Sequence, residues 1–294
     1  MPDIKTLAAA RNVDLVDTFT KSIAKLAKML SACDPIKANV GETLHQKKIT
    51  GKLSETEYVE GQEIPESKYT WADVTTYEVA IKPYRKKTTL QEIKKRGYEA
   101  AVDATDSAMI SDIQRGIKKD FVNELNDKLA KQTVAGVLAG EGTTAVTGKN
   151  LVATAANAWA ALDNLVEDYS FGDVDVIYFV NPVDFAKQIA DSEVFSAFGI
   201  SYIENWAGLG TLVSTGSVAA GTIYATVKNN IKVYTASTEG DDLFGFYTDE
   251  SGYIAINHSS ELKSLAYDTV AYTGITFFAE YIDMVVKGTI AATA

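Results

Sequence analysis

Lys149 lies in the stretch of this chain that comes nearest to a nucleotide-binding motif, Gly142-Thr-Thr-Ala-Val-Thr-Gly148-Lys149-Asn150. A phosphate-binding loop needs a glycine, four residues and then Gly-Lys-Ser/Thr, so that backbone N–H groups cradle the phosphates and the hydroxyl holds Mg²⁺. Here five residues separate the glycines, and Asn150 stands where the hydroxyl should be. The stretch also follows a helical pattern rather than a strand, so it reads as a small-residue loop. Gly208-Leu-Gly210 supplies the first half of a dinucleotide fingerprint, but Val213 occupies the third glycine position. A turn is the better reading.

Nucleophile–base chemistry is equally poorly supplied. The chain has two histidines, His45 and His258, far apart in sequence. Ser259 follows His258, but no Gly-x-Ser-x-Gly elbow presents a nucleophile. The carboxylate clusters are Glu55, Glu57, Glu60, Glu63 and Glu66, then Asp241-Asp242, then Asp249-Glu250. They suit solvated faces and turns, and Asp249-Glu250-Ser251-Gly252 reads as a turn before a strand. The single Cys33 excludes an internal disulfide and a multi-cysteine zinc site. Asn257-His258-Ser259 matches a glycosylation sequon, which has meaning only on a secretory route. The expectation is no catalytic, cofactor-binding or metal-binding residues, and no enzyme.

What these residues are set upon is more informative. The segment 105–133 carries Ile110, Ile113, Ile117, Phe121, Leu125 and Leu129, one stripe down a long amphipathic helix. Thr105 reads as its N-cap, with Asp106 and Asp112 near the positive end and Lys128 and Lys131 near the negative end. Nearly thirty residues at ~1.5 Å each make a rod of about 40 Å, a scaffold beam rather than a catalytic core. A basic strand-like segment, 83–87, and a short helical run precede it. An earlier helix is expected over 14–32, with Leu15, Phe19, Ile23, Leu26 and Leu30 on one face, stopped by Pro35.

Residues 46–86 read as an extended hairpin arm, with β alternation over 46–53 and 74–83 around a polar stretch broken by Gly61 and Pro65. The acidic residues fall toward its tip and Lys82, Arg85, Lys86 and Lys87 at its root, placed to pair with neighbouring subunits. A two-stranded hairpin is marginal alone in water, so such an arm docks on something. Further on, a helix is expected over 151–167 and an apolar strand over 174–180. Asn181-Pro182 then supplies an N-cap and a first-turn proline for a helix through Ile189. Short strands follow near 210–213, 222–227 and 231–234, then alternating β runs over 252–257, 264–272 and 275–287.

The 294 residues are 46% hydrophobic, enough for a sizeable core, with a net charge of −11 and pI ≈ 4.8. So acidic a chain does not grip nucleic acid by bulk attraction, because phosphate contact needs clustered Lys and Arg. Asp3, Arg11, Asp14 and Asp17 interrupt any secretory apolar region in the first twenty residues. No apolar run approaches the ~20 residues that span a bilayer. The expectation is a soluble protein made in the cytosol, without membrane partners.

Taken in order, the segments resemble the major capsid proteins of tailed bacteriophages, the Hong Kong 97-type fold. The local motifs are Tyr84-Arg85-Lys86-Lys87-Thr88-Thr89 with Gly97-Tyr98 and Ala104-Thr105-Asp106, then Val180-Asn181-Pro182-Val183-Asp184, then Gly221-Thr-Ile-Tyr-Ala-Thr-Val with Asn229-Asn230-Ile231. A closing alternation over 277–286 looks like the final peripheral-domain strand. The resemblance implies an α+β chain with an N-terminal arm and amphipathic helix (1–45) and an extended hairpin or E-loop (46–86). A peripheral β-sheet domain with the spine helix (87–149), an apical α/β domain (150–240) and a return to the peripheral domain (241–294) follow. It implies self-assembly into hexamers and pentamers of an icosahedral head around double-stranded DNA. The partners implied are a separate scaffolding protein, a portal and decoration proteins, with packaged DNA only in loose proximity. The location implied is the virion, and the host cytoplasm during assembly. Some relatives cross-link Lys to Asn from the hairpin; Lys47, Lys48, Lys52 and Lys68 are conceivable donors, though lysines on an arm are usually only solvated. The rival readings are an encapsulin-like nanocompartment shell and an α/β enzyme or ligand-binding protein built on 151–189.

Overall fold

The structure is a computed structural model that describes residues 33, 35–52, 54, 66–126, 146–169, 175–192, 202–237, 241–248, 253–281 and 284–291. The expected helix over 14–32, most of the hairpin tip and the spine beyond residue 126 lie outside the described residues. Strand β1 (Pro35–Ala38) leads to the hairpin strands β2 (Thr43–Lys52) and β3 (Lys68–Glu78), then β4 (Lys82–Thr89). Helix α1 (Leu90–Arg96), a π-helical turn (Glu99–Asp103) and α2 (Ala104–Glu124) form the spine. Then come β5 (Val146–Gly148), α3 (Leu151–Tyr169), β6 (Val176–Val180) and α4 (Pro182–Ser192). Next are β7 (Tyr202–Trp206), β8 (Gly210–Ser214), β9 (Thr222–Val227), β10 (Ile231–Ala236) and α5 (Asp241–Phe244). The chain closes with β11 (Tyr247–Thr248), β12 (Ala255–Glu261), β13 (Ala266–Thr273), β14 (Ile275–Ala279) and β15 (Val285–Ile290).

The expected stripe is the buried face of α2. Ile110, Ile113, Ile117 and Phe121 are all buried, and Leu125 follows them. The helical start differs from expectation. Thr105 is not a cap, because helical backbone already runs from Tyr98, and its hydroxyl bonds back to the Ala101 and Val102 carbonyls at 2.8 and 2.9 Å. The real break is Gly97 at φ +83°, whose N–H closes α1 on the Ile93 carbonyl. Thr89 caps α1 at its other end, accepting from Glu92 N–H. Asn181 does cap α4, its side-chain oxygen accepting from Val183 N–H at 2.9 Å.

Among the described residues four sheets form: β5-β15-β9-β6-β8-β7, β11-β12-β13-β4, β1-β10-β14 and the β2-β3 pair. All of β6 is buried, between parallel β8 and antiparallel β9. Two findings depart from the sequence pattern. The hairpin strand expected over 74–83 ends at Glu78, and residues from Lys82 onward belong to a different sheet, antiparallel to β13. The run expected over 277–286 is two strands: β14 pairs with β10, while β15 pairs with β9 and β5.

A buried side chain explains that second break. The Asn230 side chain accepts from Tyr281 N–H at 2.8 Å and donates to the Tyr281 carbonyl at 3.0 Å and to the Thr226 hydroxyl at 2.9 Å. The amide occupies the backbone groups that would otherwise continue the ladder. Removing three hydrogen bonds of about 1 kcal/mol each should make Asn230→Ala about 2–4 kcal/mol less stable. Urea unfolding checks it; an unchanged midpoint would mean that Tyr281 finds other partners.

Candidate assembly surface and buried charge cluster

Lys86, Thr269 and His258 stand opposite one another on β4, β13 and β12, which places all three on one face of the sheet. Asp106, from the first turn of α2, reaches that face and is fully buried. One carboxylate oxygen lies 2.9 Å from His258 Nε2, and the other pairs with the Lys86 ammonium. Lys86 also donates to the Thr105 hydroxyl at 2.5 Å and the Val102 carbonyl at 3.2 Å. Tyr267 stacks on the His258 ring with centroids 5.6 Å apart and accepts a hydrogen bond from Tyr98 at 3.1 Å. Burial pushes the Asp106 carboxyl up, but the bonds from His258 and Lys86 and their charges outweigh it. The net direction is below the usual carboxylate range.

A histidine–aspartate pair is two of the three members of a hydrolase triad. Strand alternation puts Ser259 on the opposite face of β12 from His258, exposed beside Asp268 in register. The three side chains come from α2, β4 and β12, so they tie the spine to the four-stranded sheet.

The other basic residues of β4 also find partners in their own chain. Lys82 pairs with Asp120 at 2.7 Å, Arg85 with Asp268 at 2.6 Å and Glu261 at 3.8 Å, and Lys87 with Glu261. The expectation that these residues form the root of the hairpin is therefore corrected. These residues lie on a sheet strand, opposite acidic residues of α2, β12 and β13, not on the free arm.

Of the arm's described side chains, those at the root, Leu44, Tyr77 and Val79, are the ones that reach buried surroundings. Among the described residues its two strands pair only with each other, from Thr43↔Glu78 to Lys52↔Lys68, with an irregularity at Gln46/Lys47. Ten residues of strand span roughly 33 Å. The root is held by Tyr77 against Phe278, centroids 5.1 Å apart, and by the Thr276 hydroxyl donating to the Glu78 carbonyl. Farther out, Tyr69 is 53% and Trp71 69% exposed, on the same side of β3. Such exposed aromatic surface is of the kind that marks interaction sites.

No family model matches the sequence, and no curated protein matches it. Solved structures do. The capsid structure of the Cyanophage P-SCSP1u is similar at a TM-score of 0.57 with 8% identity, over 89% of this chain and 87% of that one. Gordonia phage Cozz is similar at 0.53 with 8% identity, over 90% and 86%. The chain has the Hong Kong 97-type fold. The holo-SrpI encapsulin complex from Synechococcus elongatus PCC 7942 is similar at 0.51 with 11% identity, over 89% and 86%.

On the Hong Kong 97-type fold, the motif-like stretches of the sequence turn out to be packing devices. Val146–Gly148 is β5, and Asn150 caps α3 by accepting from Ala153 N–H at 2.8 Å. A Cβ on Gly148 would sit 2.4 Å from Thr154 N, so glycine there allows strand and helix to touch. At Gly210, φ is +137° and a Cβ would meet the Val176 carbonyl oxygen at 2.1 Å. Residues 142–145 and 249–252 lie outside the described residues. His45 lies on β2 of the arm, exposed and in a different sheet from His258. Cys33 is buried, and desolvation pushes its thiol up to about 12, which leaves it unreactive. Of the conceivable cross-linking lysines, Lys68 is exposed on β3; the side chains of Lys47, Lys48 and Lys52 lie outside the described residues.

Proposed function

We propose that this chain is the structural subunit of an icosahedral phage head, assembling as hexamers and pentamers around double-stranded DNA. The observation that carries the reading is the two-stranded arm with its exposed Tyr69 and Trp71, on a fold shared with phage capsids. A lone subunit gains nothing from that arm; a neighbour gives it a surface. The domain plan that goes with this reading is an N-terminal arm (1–45), an E-loop (46–86), a peripheral domain with the spine (87–149), an apical domain (150–240) and a peripheral return (241–294). Its site is a protein–protein surface, with no catalytic, cofactor or metal residues assigned. A separate scaffolding protein, a portal and decoration proteins would be its partners, in the host cytoplasm during assembly and in the virion afterwards. With a net charge of −11, packaged DNA is a neighbour and not a ligand.

Negative-stain microscopy and sedimentation of the purified protein test this. Closed shells or capsomers are expected, and a 31.8 kDa monomer at every concentration would overturn it. Replacing both Tyr69 and Trp71 with serine should leave circular dichroism unchanged while raising the assembly threshold at least tenfold. Equal assembly by that variant would remove the arm from the contact. The likeness to an encapsulin supports a second reading, a cellular nanocompartment shell. Particles purified from a producing host would then contain protein cargo and no nucleic acid.

A further inference from the structure

Between β4 and the spine runs a helix that buries nothing. β4 and α2 are tied directly to each other, because Lys86 pairs with Asp106. The chain from Leu90 to Asp103 thus leaves one fixed element and returns to another. α1 has no buried side chain, and Lys94 and Lys95 stand exposed in its last turn. A helix without a buried face moves without uncovering any core. Gly97 ends it at φ +83°, and a Cβ there would meet nothing within 4 Å, so the joint has room around it.

Past Gly97 the helix is wider than an α-helix. Ala104 N–H bonds to the Glu99 carbonyl, so the turn Glu99–Asp103 holds one residue more than an α-helical turn does. Turns of this kind are rare and are found mostly at functional sites. The extra residue leaves the buried side of the spine intact, since Ala101 and Val102 are both buried while Ala100 is exposed. Contacts on either side brace the wide turn. The Thr105 hydroxyl donates to the Ala101 and Val102 carbonyls at 2.8 and 2.9 Å, and Lys86 donates to the Val102 carbonyl at 3.2 Å. Just upstream, Tyr98 donates to the Tyr267 hydroxyl at 3.1 Å.

We propose that the segment from Leu90 to Asp103 is an adjustable strap, which stores one surplus residue in the π-helical turn and gives it up when α1 is re-aimed. Closing the turn to an α-helical one carries the residues just upstream about 100° around the helix axis and ~1.5 Å along it, and Gly97 absorbs the change. The buried stripe from Val102 to Phe121 keeps its register throughout. The purpose of the strap rests on the shell-subunit reading. Copies in hexamers and in pentamers meet their neighbours at different angles, and a movable basic helix lets one sequence serve both.

Single-residue deletions test it. Removing Ala100 should leave the subunit folded, melting within about 5 °C of the wild type. Removing Ser111, equally exposed but in the regular part of α2, turns everything upstream by about 100° against the sheet and should leave no folded protein. Equal damage from the two deletions would overturn the surplus residue. Hydrogen exchange tests the brace. Lys86→Met should speed exchange of the amides over 99–105 at least tenfold relative to those over 113–121. Thr105→Val, which removes no charge, should do the same and gives the reading if Lys86→Met unfolds. An unchanged ratio in Thr105→Val would overturn the brace. In assembly assays the folded Ala100 deletion should fail to close shells where the wild type closes them. Normal shells from that variant would overturn the strap and leave the shell reading standing. A wild-type protein that never assembles would overturn the shell reading, and the deletion and exchange results would still decide whether the turn holds a surplus residue.

Discussion

Replacing Asp106 with alanine should cost about 3–5 kcal/mol of subunit stability, the usual penalty for removing one partner of a buried ion pair. The carboxylate is fully buried, and it is the acceptor for His258 Nε2 and the partner of the Lys86 ammonium, whose side chain is only 20% exposed. Without it, a cation and an imidazole N–H stay behind in the joint between α2 and the sheet. Asp106→Asn keeps an acceptor but not the charge and should cost less than alanine. The same group shapes the acid limb. Its folded pKa lies below its unfolded value, so its contribution is present above the ordinary carboxylate value of roughly 4 and is lost as pH falls through the folded pKa. Between those two values the wild type should lose stability more steeply than Asp106→Ala. Urea unfolding across that acid range checks both statements; parallel wild-type and mutant curves would show that the pair contributes nothing on balance.

That cluster also marks where sequence reading stopped. The spine stripe was legible because its residues recur within one helix at spacings of three and four. His258 and Asp106 are 152 positions apart, and only the pairing of β4, β13 and β12 brings their faces together. A trace was present. Asp106 lies four residues before Ile110, on the apolar stripe itself, and His258 lies two residues after buried Ile256, on the same strand face. A polar side chain on each of two apolar faces signals a buried pair, yet Asp106 reads equally well as a helix-dipole partner. The basic run 82–87 misled for a related reason. Net charge along a segment does not reveal that alternation sends Lys86 to one side of the sheet and Arg85 and Lys87 to the other. The break between β14 and β15 was hidden because Asn230, which enforces it, sits fifty-one positions before Tyr281. The Asn-Pro cap at 181–182 and the three central strands were legible because each depends on adjacent residues.

Phe121→Asp should leave no folded subunit at all. Phe121 is 1% exposed and meets two rings edge to face, Phe179 of β6 at 5.0 Å and Phe277 of β14 at 4.9 Å. It is thus where the spine packs against both the six-stranded and the three-stranded sheet. Truncating a buried phenylalanine costs about 3–5 kcal/mol. An unpaired carboxylate in the same place adds several more, or takes up a proton and leaves a hydroxyl without a partner. Set against a total stability of roughly 5–15 kcal/mol, that sum exhausts the margin. Phe121→Leu keeps most of the apolar volume and should stay folded, melting a few degrees lower. The two variants together separate burial from a general intolerance of the position. Insoluble or unfolded Phe121→Asp beside soluble Phe121→Leu is the expected result. Soluble Phe121→Asp with an unchanged melting temperature would mean that the two sheets hold together without the spine between them.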